Sequence, residues 1–144
     1  MNIRKYNENE INYIVELWCE VSKKSHDFIS GEYWEEKKED MMTKYIPMSE
    51  TYVIEDDDKI LGFVSMVDNY LAALFIDSNY HNKGYGNKLL NFVKERRDEI
   101  QLKVYEKNKK AYEFLKCTLC QGQFKKSLSS TKKMISVFYG SHLF

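Results

Sequence analysis

The chain has 144 residues, 43% hydrophobic and 15% aromatic with eleven tyrosines, which is enough apolar material for one domain, 1–144, to bury a core and too much for a disordered chain. Twenty-two basic and 22 acidic residues give a formal charge of zero with no long run of one sign, which argues against broad binding to nucleic acid or to an anionic membrane surface. The first residues carry no apolar leader, and no stretch approaches the roughly 20 apolar residues of a membrane helix, so a cytoplasmic protein with no nucleic acid and no membrane partner is expected.

Residues 2–6, NIRKY, alternate as a half-buried strand does. Ile11, Ile14, Val15, Trp18 and Val21 then recur at helical spacing and predict a helix over residues 8–22, with Asn7 as N-cap and Glu10 in the capping-box position. A second, more polar helix is predicted over residues 31–45, stopping before Pro47. Residues 50–77 hold three β-rich runs separated by Asp56-Asp57-Asp58 and by Asp68-Asn69, turn formers that predict an antiparallel meander. A helix with Tyr85, Leu89, Leu90, Phe92 and Val93 inward follows, then a strand at IQLKVY and a helix with Ala111, Phe114 and Leu115 on one face. Two strands are predicted in the tail, and the order β-α-α-β-β-β-α-β-α-β-β is that of an α/β (α+β) fold.

Cys19, Cys117 and Cys120 leave an odd thiol in any pairing, which suits a reducing compartment. Cys117 and Cys120 form one C-x-x-C, but nothing completes a tetrahedral set, so no metal site is expected and the pair reads as small side chains near a helix end.

The informative stretch is YHNKGYGNKLL, residues 80–90, where a strand ending at Ile76 meets a helix through Gly84 and Gly86. Glycine lets backbone amides approach a ligand, and the first amides of a helix lack intrahelical acceptors, so the junction suits phosphate or another anion. A Walker loop is excluded because no G-K-[ST] follows, and a dinucleotide fingerprint because position 89 is Leu89. A glycine turn that merely packs a helix tightly on a strand is the other reading.

The surrounding sequence resembles the GNAT superfamily of N-acetyltransferases, in particular small bacterial protein acetyltransferases. That family carries Q/R-x-x-G-x-G/A after its fourth strand, and this chain has His81-Asn82-Lys83-Gly84-Tyr85-Gly86 there. GFVSM, LAALFID and LKVYEKN are similar to the family's third, fourth and fifth strands, and NKKAYEF to the start of its last helix, so the likeness covers residues 1 to about 116. It implies a GNAT fold: a mixed, mostly antiparallel central sheet splayed between strands four and five and flanked by about four helices. It also implies acetyl-CoA (CoA) as cofactor. Carried over, the loop from His81 through Asn82, Lys83, Gly84 and Tyr85 to Gly86 would hold the pyrophosphate. Main-chain groups from Ala73 through Leu74, Phe75 and Ile76 would face the pantetheine arm, and Asn108 would reach the same arm. Asn108 also reads as an N-cap for the helix that begins there.

Three departures from the family stand out. His81 replaces the usual Gln or Arg. Leu115 stands where the family has a tyrosine able to protonate the leaving thiolate, and Leu119-Cys120 replace a Gly-Phe, with Gly122 and Phe124 resembling a displaced copy. A change of reading frame near codon 115 is one origin for such a block of differences, and it leaves the last strands with less to fix their register. For the base that makes an acceptor amine neutral, His26 and Asp27 are the candidates, the other reading of the pair being a loop-ordering hydrogen bond or helix cap; Tyr70 is a further acceptor-side residue, and Tyr33 and Trp34 read either as lining the mouth or as core. The acceptor expected from the resemblance is a primary amine, on a small molecule or on a peptide or protein, with peptide or protein favoured. The rival reading is a non-catalytic acyl-CoA-binding module, and either a monomer or a homodimer is expected.

Overall fold

The computed structural model describes the backbone of residues 1–118, 123–128 and 133–140, and the side chains of residues 1–115. Strand β1, Asn2–Lys5, leads through a 3-10 turn at Glu8–Glu10 into α1, Ile11–Ser25. The predicted capping box forms: the Asn7 N–H donates to Glu10 Oε1 at 2.8 Å. Glu10 also takes a two-pronged contact from Arg4, at 3.0 and 2.7 Å, which holds its carboxyl below the usual range. The buried face of α1 carries Ile14, Val15, Leu17, Trp18, Cys19, Val21 and Ser22.

Helix α2, Gly31–Asp40, starts at Ser30, whose hydroxyl accepts from the Glu32 N–H, and buries only Trp34. The expected stop before Pro47 is not what occurs. A π-helical turn, Met41–Tyr45, carries the path into a short helix α3, Ile46–Met48, with Pro47 inside it. In the wider turn the Ile46 N–H reaches back to the Met41 carbonyl, which leaves room for the proline ring and asks for no donor from it. Between α1 and α2 the buried Cys19 thiol donates to Glu35 Oε2 at 3.3 Å, and Lys38 binds the same oxygen at 2.8 Å.

Strands β2 (Glu50–Asp56), β3 (Lys59–Val67) and β4 (Tyr70–Ile76) form the predicted meander. Their turns use left-handed residues, Asp57 and Asp58 in the first and Asp68 in the second, as a two-residue hairpin requires. Helix α4 is Tyr85–Lys94, β5 is Glu99–Tyr105 and α5 is Lys109–Thr118, with β6 at Gln123–Leu128 and β7 at Lys133–Gly140. The sheet runs β1-β2-β3-β4-β5-β7-β6. The expectation of a loosely registered tail is corrected, since β7 pairs with β5 without a break from Glu99↔Gly140 to Tyr105↔Met134. The C-x-x-C and the residues at 119–122 lie outside the described side chains.

Two cores sandwich the sheet. On one face α1 and α2 pack Trp18, Trp34 and Ile14 against Val53, Phe63 and Ala73. On the other, α4 and α5 pack Leu89, Leu90, Val93 and Leu115 against Ile54, Val64, Met66 and Leu102. Among the described residues, no helix is long and apolar enough to cross a membrane.

One irregularity positions everything that follows. β4 and β5 are the sheet's parallel pair, and they share a single residue pair, Tyr70↔Gln101, beside the bond from the Gln101 N–H to the Asn69 carbonyl. β4 also bulges: its register with β3 skips Ala72 between Ala73 and Leu71. A bulge bends its strand, and beyond Tyr70 the two strands part.

Candidate active site

A cleft of about 1400 Å³ fills the gap between the parted strands. Its walls are β4 from Tyr70 to Ile76, the loop into α4, the end of β5, the start of α5, and His26, Asp27 and Trp34 from the opposite face. From Leu71 to Ile76, β4 has no ladder partner on this side, so its edge presents main-chain groups to the cleft. Leu74, Phe75 and Ile76 line the cleft along this edge.

The glycine loop is shaped by two left-handed residues, Asn82 at φ 62° and Gly84 at φ 86°. Gly84 is the N-cap of α4, and the bond from the Lys88 N–H to its carbonyl, 3.1 Å, opens the helical ladder, so the amides ahead of it point out of the helix end. A Cβ on Gly84 would meet nothing within 4 Å; glycine is needed there for its backbone conformation. Gly86 differs, since a Cβ there would lie 3.2 Å from the tip of the Phe114 ring, a tight contact that the ring must yield to. His81, Asn82, Gly84, Tyr85 and Gly86 all line the cleft.

His81 and Lys83 are placed differently from one another. The His81 ring turns back, and its Nε2 lies 2.7 Å from the Ile76 carbonyl, to which it donates. Its role is to tie the loop to the end of β4. Lys83 is exposed outside the cleft wall, its ammonium 5.7 Å from the centre of the Tyr80 ring. Among the described residues, the positive charge on the walls comes instead from Lys24, Lys103, Lys107, Lys109 and Lys110, against Asp27 and Glu113. Sequence reasoning missed these lysines, although for Lys107, Lys109 and Lys110 the run EKNKK around Asn108 carried the signal.

Asn108 caps α5, its Oδ1 accepting from the Ala111 N–H at 3.2 Å, and its Nδ2 lies 3.0 Å from His26 Nε2. His26 is 7% exposed and sits among Trp34, Phe28 and Tyr105, with ring centres at 5.3, 5.8 and 4.7 Å. Burial pushes its pKa down to about 4, so the ring is neutral near pH 7. The expected partnership of His26 with Asp27 does not form. His26 faces inward to Asn108, whereas Asp27 is exposed at the mouth and has no hydrogen bond or ion pair among the described residues. Tyr70, at the closed end of the split, is 38% exposed and its pKa is raised by burial, which keeps its hydroxyl protonated. Leu115 is buried at 6% exposure and lines the cleft, placing the position where the family carries its tyrosine on the cleft wall. Among the described residues, no cluster of three metal-type ligands exists.

Comparison with known proteins agrees with this geometry. Residues 12–118 match the Acetyltransferase (GNAT) family. The chain is 34% identical over 113 residues to the peptidyl-lysine N-acetyltransferase YiaC of Escherichia coli K12, covering 78% of this chain and 77% of that one. The solution structure of apo YjaB from Escherichia coli superposes with a TM-score of 0.82 at 24% identity, covering 97% and 98% of the two chains. The PaiA N-acetyltransferase of Thermoplasma acidophilum, solved in complex with coenzyme A, gives 0.75 at 20% identity over 94% and 96%.

Proposed function

The chain belongs to the GNAT family of acetyltransferases, which use acetyl-CoA, and on that premise we propose that it acetylates the side-chain amine of lysine in peptides or proteins. The observation that carries this reading is the parting of β4 and β5 directly above the Gly84 loop, which joins an anion-binding helix end to an open strand edge in one cleft. Acetyl-CoA supplies an activated acetyl thioester and a thiol leaving group. The chain supplies the setting: loop amides from Asn82 to Gly86 for the pyrophosphate, the edge from Leu74 to Ile76 for the pantetheine arm, and the Asn108 amide beside it. Lysines around the cleft add a field that favours an anionic cofactor.

At the acceptor mouth, the exposed Asp27 carboxylate attracts the ammonium of the incoming lysine and accepts its proton directly or through water. Tyr70, on the cleft wall at the closed end of the split, is the hydroxyl assigned to the departing thiolate, since Leu115 cannot serve. The excess of lysines over carboxylates on the walls disfavours polyamines, whose several positive charges would be repelled, and supports a single lysine presented on a peptide. The relatives' names as peptidyl-lysine acetyltransferases support the same acceptor. Residues 1–144 then act as one cytoplasmic domain.

A free-thiol release assay with acetyl-CoA across lysine peptides, free lysine and spermidine tests this. Turnover on peptides is expected and spermidine should be poor; preference for spermidine would reverse the acceptor assignment. A second reading, an acyl-CoA-binding module without turnover, is favoured by Leu115 on the cleft wall, and CoA binding without thiol release on any amine would select it.

A further inference from the structure

We propose that His26 is a positioning residue for the cofactor arm and acts through Asn108. The inference rests on the reading of the cleft as an acetyl-CoA site, and it gives His26 a role other than base.

Asn108 Oδ1 accepts the Ala111 N–H that opens α5, which fixes which end of the side chain is oxygen. The atom 3.0 Å from His26 Nε2 is therefore an N–H donor, and His26 Nε2 must be the acceptor. The imidazole proton then sits on Nδ1, which is buried and has no partner among the described residues, so nothing there competes for the opposite tautomer. Asn108 has spent its oxygen and one amide hydrogen. Its second amide hydrogen has one direction left, because the planar group is held at both ends, and Asn108 forms part of the cleft wall. A carbonyl oxygen of the pantetheine arm, itself built of two amides, is the chemistry that hydrogen recognises.

His26 is well suited to hold the amide still. Its backbone N–H donates to the Ser22 carbonyl at 2.8 Å and its carbonyl accepts from Ile29 at 2.9 Å, so the residue is tied at the end of α1. Three aromatic rings hold the imidazole. The contact crosses the split in the sheet, joining the α1–α2 layer to α5 at the open end of the cleft. A helix cap alone would need only Oδ1; the second contact is what gives the amide plane a fixed orientation.

The test is calorimetry of CoA binding to the wild type, His26→Gln, His26→Phe, Asn108→Ser and the double variant His26→Phe/Asn108→Ser, with nitrogen NMR of His26 in the CoA-free protein. Gln presents an acceptor at the same reach, Phe fills the space without one, and Ser keeps the cap but loses the N–H. Expected are the Nδ1–H tautomer in the free protein and a five- to tenfold loss of CoA affinity in His26→Phe. Affinity within twofold of wild type is expected in His26→Gln, and a double variant no weaker than Asn108→Ser alone. An Nε2–H tautomer, a folded His26→Phe that binds CoA as the wild type does, or additive losses in the double variant would each overturn the proposal. If the wild type does not bind CoA, the cofactor reading of the cleft falls and this role falls with it; if it binds and His26→Phe is unaffected, only this role falls.

Discussion

The loop half of the cleft is built from one short run, residues 81–86 without Lys83, whereas the half facing it is assembled from the end of α1, one residue of α2, the end of β5 and the first residue of β4. In the loop half, the determining property is backbone conformation: Gly84 at φ 86° and Asn82 at φ 62° set where the amides point. In the opposite half it is burial and contact, as His26 shows, since burial sets its charge state and two of the three rings around it, Trp34 and Tyr105, come from other elements. A conformational site fails when one residue cannot adopt its angles. A packed site changes by degrees.

The largest effect is expected where the two halves meet. Leu115→Tyr puts a second hydroxyl on the cleft wall, at the position where the family carries its acid, and a well-placed general acid contributes on the order of 10²-fold to rate. The gain should appear in kcat on a lysine peptide with CoA affinity unchanged, because the hydroxyl acts on charge present only in the transition state. A rise in affinity with constant kcat would mean that position 115 belongs functionally to the loop half.

Next in size is Gly84→Val. A β-branched residue in the left-handed region costs about 1–2 kcal/mol, so CoA binding should weaken by about tenfold or more even though the site has space for the side chain. Gly84→Asn, which tolerates that conformation, should lose far less. Equal losses in calorimetry would show that bulk, not backbone angle, is what the loop rejects.

A smaller effect reads the packed half through pH. Folded His26 binds a proton near pH 4 and an unfolded histidine near 6.5, so between these values the unfolded state carries the extra proton. Its contribution to stability is complete above pH 6.5 and is lost as the pH falls toward 4. Thermal melts across that window should slope less for His26→Gln than for the wild type; parallel slopes would mean His26 is charged in the folded protein.

Gly86→Ala is expected to do least. The new Cβ pushes the Phe114 ring tip by a few tenths of an ångström, while alanine favours the helix by about 1 kcal/mol. A melting change equivalent to within about 1 kcal/mol should result.

The same contrast explains what the sequence could tell. The meander was legible because Asp57, Asp58 and Asp68 are turn formers, and the helices because apolar spacing matched their buried faces. The glycine loop was legible because its physics is local. Nothing in the letters marked the bulge at Ala72 or the single pair Tyr70↔Gln101, since register belongs to two strands at once and splay to their neighbours. His26 was visible as a histidine beside an aspartate, but its true partner lies 82 residues away. Pro47 misled because proline's usual effect on a helix was cancelled by a π turn that no propensity announces.

The Cys19–Glu35 contact has a use of its own. The thiol has no exposure and is raised to about 11, first by burial and then by the carboxylate it donates to. An alkylating reagent at pH 8 therefore reaches a thiolate at Cys19 only when α1 and α2 separate. Mass-spectrometric tracking of that one labelled peptide in the native protein times the separation, and adding CoA during the labelling asks whether filling one side of the sheet quiets motion on the other.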